Sequence, residues 1–162
     1  MSPRARQEST PSPSIREGGL RDLDGIASLF RSDLGREPDT NRIGQHLTGF
    51  PSAVAEADGF GLVAFAFTTS FAPDILELAN ILVSSKWRDH DIGSRLLEKI
   101  EKLAQEDFSA IILVNSMLYP TAGKKRPATD FYLRAGYEGV MQTSNSVVFG
   151  KSLPQNTKMT KV

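Results

Sequence analysis

The sequence predicts an α/β fold built on a mixed, mostly antiparallel sheet, and two patterns of apolar residues carry that prediction. Strand-like segments at 52–56, 62–69 and 75–83 are separated by Asp-Gly and Pro-Asp dipeptides that favour turns, which predicts an antiparallel meander. A helix and a further apolar run follow the third segment. A strand, a helix and a strand in that order imply a parallel pair joined by a right-handed crossover.

The region before the meander predicts a short strand and two helices. Residues 14–17 have a strand-like pattern, and apolar residues then recur at helical spacing between 23 and 34. A second helix is expected to begin at Thr40, whose hydroxyl can accept a hydrogen bond from the first turn. Ile43 and Leu47 mark the buried face of this second helix.

The crossover helix is predicted over residues 91–106. Its apolar residues form a single stripe, which comprises Ile92, Leu96, Leu97, Ile100, Leu103 and Ala104. The apolar run at 110–115 has the length of a strand, and 147–151 supplies a last strand. The segments 75–83 and 110–115 therefore form the predicted parallel pair.

The composition limits the possible functions. The 162 residues carry 19 basic and 19 acidic side chains, so the broad positive field of non-specific nucleic-acid binders is not expected. The absence of cysteine excludes disulfides, thiolate nucleophiles and cysteine-based zinc sites. His46 and His90 are too isolated in the sequence to suggest a metal site. A cytoplasmic protein without a nucleic-acid partner is the simplest prediction.

One domain is predicted between two tails. Residues 1–13 contain prolines and no apolar run, which indicates a disordered tail that lacks the hydrophobic region of a secretion signal. Residues 14–153 form the predicted domain, and 154–162 are expected to be a flexible polar tail. No apolar segment approaches the roughly 20 residues that a membrane helix needs, so no membrane partner is expected.

The junction between the third strand of the meander and the crossover helix is the best clue to function. Unpaired N–H groups at a helix N-terminus carry about half a positive charge and suit an anion such as pyrophosphate. The junction resembles motif A of the GNAT superfamily of N-acetyltransferases. In that motif, a Val that ends a strand is followed by Arg or Gln, two residues, Gly, one residue, and then Gly or Ala. That pattern falls on Val83, Arg88, Asp91, Gly93 and Ser94, so Asp91 stands where the family has its first glycine.

A second segment resembles the same family. Ala128, Phe131, Tyr132, Gly136 and Tyr137 match its Ala-x-x-Phe-Tyr-x-x-x-Gly-(Phe/Tyr) pattern. The two motifs occur in family order, separated by a helix and a strand, and this arrangement is more specific than either motif alone.

The resemblance implies both a fold and an activity. The fold is a GNAT-like mixed, mostly antiparallel sheet of six to seven strands, flanked by about four helices, with a V-shaped split between two parallel central strands. The split seats acetyl-CoA, which is the implied co-substrate. The implied activity is transfer of its acetyl group to a primary amine of a small molecule or peptide, by direct attack in a ternary complex.

The resemblance also implies which residues hold the cofactor. The pantetheine arm would meet the backbone of the strand that ends at Val83, beside a bulge expected at residues 80–82, with the side chain of Asn115 as a further donor. Asn115 equally suits a purely local role in the loop that follows it. The cofactor-binding set comprises Ile81, Leu82, Val83, Arg88, Asp89, His90, Asp91, Ile92, Gly93, Ser94 and Asn115.

Two residues are candidates for catalysis on the same resemblance. Tyr132 is the candidate general acid, because a phenol with a pKa near 10 can protonate a departing thiolate. The alternative is that its ring only packs on the sheet. Glu77 resembles the general base that some family members carry on this strand, while other members use ordered water. Glu77 would need a buried position to reach a useful pKa.

Asp91 leaves a second interpretation open. It could act as a plain N-cap of the crossover helix, with its carboxylate accepting from the amides near Gly93. Its charge, added to that of Asp89, would oppose a phosphate, although Lys86, Arg88 and His90 offset it in part. The alternative function is therefore a non-catalytic acyl-CoA-binding or protein-interaction module on a degenerate GNAT fold.

The sequence leaves the acceptor and the oligomeric state undefined. The acceptor would be selected by residues 35–50, the turn at 71–74 and the loop at 116–126, none of which has a recognisable pattern. The basic cluster 123–126 in that loop suits the 3′-phosphate of CoA, an acidic substrate or plain solvation. Homodimerisation is left open.

Overall fold

The computed structural model describes residues 12–88, 90–116 and 128–155, and these residues form a seven-stranded sheet flanked by four helices. The strands are Ser14–Glu17 (β1), Ser52–Ala57 (β2), Gly61–Ala72 (β3), Ile75–Val83 (β4), Ala110–Ser116 (β5), Glu138–Gln142 (β6) and Ser146–Ser152 (β7). The helices are Leu23–Leu29 (α1), Thr40–Gly49 (α2), Ile92–Ala104 (α3) and Thr129–Arg134 (α4). Two 3₁₀ turns, Leu20–Asp22 and Ser85–Trp87, and a π-helical turn, Phe30–Leu34, complete the described elements.

The sheet has the strand order β1-β2-β3-β4-β5-β7-β6. Every described pair of neighbouring strands is antiparallel except β4 and β5, which run parallel on either side of the crossover through α3. The predicted α/β class, the meander of β2 to β4 and the single parallel pair are confirmed.

The two parallel strands separate soon after they begin. Their pairing joins Ile75 to Ala110, Leu76 to Ile111 and Glu77 to Ile112, and the described register ends there. β4 continues to Val83 along β3, while β5 continues to Ser116 along β7. The predicted V-shaped split is therefore present, and it opens toward the first turn of α3.

Each face of the sheet carries its own core. Leu76 and Leu78 pack with the buried stripe of α3 on one face, whereas Phe65 and Phe67 pack with α1 and α2 on the other. The stripe predicted for α3 is buried at Ile92, Leu96, Leu97, Ile100 and Ala104, while Leu103 is only partly buried. Helices therefore pack on both faces of the sheet that contains the split.

β4 contains a bulge, which lies earlier than predicted. Phe67 pairs with Asn80 and Thr68 with Leu78, so Ala79 is the extra residue. The prediction of a bulge at residues 80–82 is wrong, because the apolar run at the end of β4 hides the alternation that would have located it. Beyond the bulge, Ile81 and Val83 face the α3 core and Leu82 faces the other core.

Three local predictions need correction. Asp39, not Thr40, caps α2, since its carboxylate accepts from the amide of Arg42 at 3.1 Å. The helix predicted over 23–34 changes to a π-helical turn at Phe30. β6 was not predicted at all, because every one of its five residues is exposed and it lacks an apolar face.

Two tail predictions lie largely outside the described residues. Residues 1–11 and 156–162 belong to these tails, so the division into one domain and two tails stays a prediction. Among the helices that the structure describes, none combines the length and the apolar character that crossing a membrane requires.

Candidate active site

The end of β4 turns directly into a tight loop that forms one side of the site. The amide of Ser84 donates to the carbonyl of Val63 at 2.9 Å, and the amide of Trp87 donates to the carbonyl of Ser84 at 2.8 Å. The Arg88 guanidinium folds back, and its Nε donates to the carbonyl of Val83 at 3.3 Å. Buried Trp87 and half-buried Arg88 are thereby fixed beside the open end of the split.

Asp91 adopts a left-handed backbone at the start of α3. Its φ of 60° and ψ of 19° make it the one non-glycine residue with positive φ in the described part of the chain. The carboxylate makes no capping hydrogen bond to the helix, so the interpretation of Asp91 as a plain N-cap is wrong. Asp91 instead supplies the backbone shape for which the family pattern uses glycine, and Asp tolerates that shape better than most residues.

The first turn of α3 presents its amides to the site. The helical ladder begins with the amide of Arg95, which donates to the carbonyl of Asp91 at 3.2 Å. The amides of Ile92, Gly93 and Ser94 precede that bond and by helix geometry have no partner in the preceding turn. They form a small cluster of donors with partial positive charge, suited to an anion.

A cavity of about 580 Å³ lies between the end of β4, the first turn of α3 and α4. Its lining comprises Ile81, Leu82, Val83, Trp87, Arg88, Asp91, Ile92, Gly93, Ser94, Phe131, Tyr132 and Arg134. Both sequence motifs therefore meet at one cavity, and most of the predicted site residues line it.

Phe131 holds α4 close to the first turn of α3. A Cβ placed on Gly93 would lie 3.1 Å from Cζ and 3.2 Å from Cε2 of the Phe131 ring. A glycine at this position lets the ring approach the helix backbone. The approach of Phe131 to Gly93 packs the two motifs together. The same ring lies 5.1 Å from that of Tyr132 in an edge-to-face arrangement.

Tyr132 is a wall of the cavity and part of the core at the same time. Only 7% of the residue is exposed, and its ring lies 5.5 Å from that of Phe149. Burial raises the pKa of Tyr132 to about 12, because an apolar surrounding disfavours the phenolate. The hydroxyl is therefore protonated at neutral pH and is available as a donor.

Three predicted residues do not line the cavity. Glu77 is half-buried in the paired part of β4, opposite Ile112 and two residues before the bulge. His90 is exposed on the loop, where its ring lies 6.0 Å from that of Trp87. Asn115 is half-buried on β5 beyond the parallel pairing, and its Nδ2 atom has no hydrogen-bond partner among the described residues.

Two sets of predicted residues lie outside the described part of the chain. Asp89, predicted to bind the cofactor, is one of them. The basic cluster 123–126 is the other. Within the ranges that the structure describes, no group of three or more metal-ligating side chains occurs.

Three cavity-lining residues, Trp87, Phe131 and Arg134, were not among the predicted site residues, although Phe131 belongs to the second motif. Arg134 is three positions after Phe131, so both occupy one face of α4, and this spacing was the signal that could have found it. Trp87 lies between Val83 and Arg88 of the first motif, and its burial follows from the tight 3₁₀ turn. Arg88 and Arg134 place two positive charges on the cavity wall against the single carboxylate of Asp91.

The comparison with sequence families agrees with this geometry. Residues 49–139, more than half of the chain, match the model of the acetyltransferase (GNAT) domain. The matched residues include β4, β5, α3 and α4, which form the split and the cavity beside it. The chain belongs to the GNAT acetyltransferase family. No curated protein sequence matches it significantly.

Solved structures share the fold at low sequence identity. Ard1 from Thermoplasma volcanium is 15% identical with a TM-score of 0.70, and the alignment covers 89% of this chain and 99% of that one. A phosphinothricin acetyltransferase from Sinorhizobium meliloti in complex with AcCoA is 16% identical with a TM-score of 0.68, covering 90% and 91%. The PaiA N-acetyltransferase from Thermoplasma acidophilum in complex with coenzyme A is 16% identical with a TM-score of 0.69, covering 87% and 99%.

Proposed function

We propose that the protein is an acetyl-CoA-dependent N-acetyltransferase that acts on a primary amine of a small molecule or peptide, by direct attack in a ternary complex. The observation that carries the proposal is the cavity at the mouth of the split, where free helix amides and a buried tyrosine line the same space. Structural neighbours solved with AcCoA or coenzyme A support the choice of co-substrate.

The described residues fit acetyl-CoA by their chemistry. The pyrophosphate would accept from the amides of Ile92, Gly93 and Ser94, with Arg88 and Arg134 supplying charge. The Nδ2 atom of Asn115 is buried on the strand across the split and has no partner in the described ranges of the chain, which suits an acceptor on the pantetheine arm. The stretch of β4 from Ile81 to Val83 pairs with β3 but not with β5, and its edge toward the split would offer backbone groups to the same arm. The co-substrate supplies the activated acetyl group.

Acetyl transfer to an amine requires few catalytic groups from the protein. The amine forms a bond to the acetyl carbonyl carbon, the carbon–sulfur bond breaks, and the electron pair leaves with the sulfur. Tyr132 holds its proton at neutral pH, so it can donate that proton to the leaving sulfur. No covalent enzyme intermediate is needed, which agrees with a chain that contains no cysteine.

The attacking amine must also lose a proton. Glu77 is the proposed acceptor of that proton. Since Glu77 does not line the cavity, the proton would pass through an intervening water. Its position two residues before the bulge puts it on the strand that carries the cofactor-binding backbone. Direct contact between Glu77 and the amine is not part of the proposal.

The proposal extends to the wider biology of the chain. A cytoplasmic location, residues 14–153 as the acetyltransferase domain, and the absence of nucleic-acid and membrane partners are retained as proposals. The balanced count of 19 basic and 19 acidic residues supports the absence of a nucleic-acid partner.

Calorimetry with acetyl-CoA and a thiol-release assay test the proposal. Purified protein is titrated with acetyl-CoA and is then assayed for CoA release with a panel of small primary amines and peptides with free N-termini. Binding together with amine-dependent thiol release is the expected result. Absence of acetyl-CoA binding would overturn the proposal.

A second candidate function is favoured by the charge of Asp91. Its carboxylate lies among the cavity-lining residues, where it opposes an incoming phosphate, so a non-catalytic acyl-CoA-binding or interaction module is the alternative. Efficient turnover by the wild-type enzyme would exclude this alternative. Turnover that appears only in Asp91→Gly would support it.

A further inference from the structure

A π-helical turn extends α1 at the open end of the split. It comprises Phe30–Leu34 and ends at Gly35, whose φ of 64° stops the helix in the left-handed region. The Phe30 ring anchors the turn, because it stacks on Phe65 with centroids 5.5 Å apart. Single π-helical turns are rare and occur frequently at functional sites.

Asp33 is the residue that the π-helical turn brings to the neighbouring loop. Its Oδ2 atom accepts a hydrogen bond from the amide of Ser85 at 2.9 Å, a contact between residues 52 positions apart. Ser85 is the first residue of the 3₁₀ turn, so its amide has no acceptor within that turn. Asp33 is half-buried, whereas Arg31, Ser32 and Leu34 around it are exposed.

The 3₁₀ turn that Asp33 holds leads straight into the cavity. Trp87 is the last residue of the turn and Arg88 follows it, and both line the cavity. Asp33 belongs to the α1 layer, whose core lies on the opposite face of the sheet from α3. The hydrogen bond therefore ties the cofactor loop to a helical layer that otherwise packs on the far side of the sheet.

We infer that Asp33 is a positioning residue, which fixes the 85–88 loop in the shape that binds the phosphates of acetyl-CoA. The inference rests on the proposed function. A carboxylate would repel a phosphate, so Asp33 acts through the amide of Ser85 and not by touching the ligand. What matters is therefore the acceptor oxygen of the side chain, and its charge is secondary.

Two substitutions separate the acceptor oxygen from the charge. Asp33→Ala removes the acceptor and is expected to weaken acetyl-CoA binding and to raise the KM for acetyl-CoA, both roughly fivefold, with kcat nearly unchanged. Asp33→Asn keeps an acceptor oxygen and is expected to restore the wild-type affinity within about twofold. Glu37→Ala is the matched control for acetyl-CoA affinity and Trp87 quenching, since among the described residues Glu37 pairs with exposed Arg31 on the same segment.

The single tryptophan of the chain supplies an independent readout. Trp87 lies two residues after Ser85, so its fluorescence reports on the loop that Asp33 holds. Acrylamide should quench Trp87 more efficiently in Asp33→Ala than in the wild type, Asp33→Asn or Glu37→Ala. A general loss of stability would not produce this pattern in samples kept well below their midpoint of thermal unfolding.

The outcomes distinguish the inference from the proposed function. If the wild type binds acetyl-CoA and Asp33→Ala matches it in affinity and in quenching of Trp87, the inference is overturned while the function stands. If Asp33→Asn is as defective as Asp33→Ala, the positioning by an acceptor oxygen is also overturned. If the wild type does not bind acetyl-CoA, the function fails and the inference falls with it.

Discussion

Tyr132 and Tyr137 meet edge to face with their ring centroids 6.1 Å apart, yet only Tyr132 lines the cavity. Tyr137 is 1% exposed, and its buried hydroxyl has no hydrogen-bond partner among the described residues. Burial, then the nearby Glu101 carboxylate and Tyr132, raise the pKa of Tyr137. The pair thus comprises two buried tyrosines, of which Tyr132 lines the cavity and Tyr137 does not.

Tyr132→Phe is expected to lower kcat about 100-fold and to leave the KM for acetyl-CoA unchanged, because only the proton donor is lost. Steady-state kinetics measure this effect. Burial holds the pKa of Tyr132 at about 12. The hydroxyl therefore stays protonated as the pH rises from 7 to 10, and kcat should show no loss from Tyr132 ionisation in that range. A kcat within twofold of the wild type would rule out Tyr132 as the acid.

Tyr137→Phe provides the matched comparison. Removal of a buried hydroxyl without a partner should raise the free energy of unfolding by about 1 kcal/mol, as measured by urea denaturation. The kinetic constants should not change, since Tyr137 does not line the cavity. A loss of stability in this variant would mean that the hydroxyl has a partner, and a loss of activity would mean that it takes part in the reaction.

Asp91→Asn and Asp91→Gly are both expected to bind acetyl-CoA about tenfold more tightly, because each removes a negative charge from the proposed anion site. Asn tolerates the left-handed backbone at least as well as Asp, so Asp91→Asn tests the charge without adding backbone strain. Asp91→Gly also relieves the positive φ and should gain about 0.5 kcal/mol of stability. Calorimetry at low and high salt measures the affinities. Weaker binding by both variants would show that the carboxylate helps to build the site.

The sequence predicted the parts of this fold that follow a simple period. The α3 stripe of Leu96, Leu97 and Ile100 repeats every three to four residues, and all three are buried. β6 has no such period, since all of its residues are exposed. The bulge lies at Ala79 but was predicted further along the strand, because β4 beyond Ala79 is apolar on both faces and shows no alternation.

The candidate site was predictable only where its residues are close in the sequence. Asp91, Gly93 and Tyr132 belong to two short motifs, and the structure brings both motifs to one cavity. The contact between Asp33 and Ser85 joins distant residues through a π-helical turn, and no local pattern encodes it. Whether Glu77 and Asn115 act in the reaction stays a prediction.

Asp22 anchors the N-terminal strand to the start of α1 through ionic hydrogen bonds. The Arg16 guanidinium donates to its two carboxylate oxygens at 2.7 and 3.0 Å, and the amide of Gly19 donates at 3.0 Å. Burial alone would raise the pKa of Asp22, but the hydrogen bonds and charge of Arg16, together with the amide of Gly19, outweigh it. The pKa is therefore lowered below its ordinary value of 3.8.

The lowered pKa of Asp22 predicts a stability difference that depends on pH. A carboxyl with a folded-state pKa below 3.8 contributes its full stabilisation above that pH and loses it as the pH falls through the folded-state pKa. Asp22→Asn should thus lower the free energy of unfolding by about 2 kcal/mol at pH 7. Urea denaturation should show the gap from the wild type closing below pH 4.

The more exposed ion pair of Arg16, which it forms with Glu56, supplies the control. Glu56 also accepts from Arg16, at 3.2 Å, but half of its side chain is exposed. Glu56→Gln should therefore change the free energy of unfolding by less than about 0.5 kcal/mol at any pH, because water and salt screen an exposed pair. If Glu56→Gln proved as destabilising as Asp22→Asn, burial would not be what gives the Asp22 contact its strength. If the Asp22→Asn gap did not narrow at acid pH, ionisation of Asp22 would not be the source of the stabilisation.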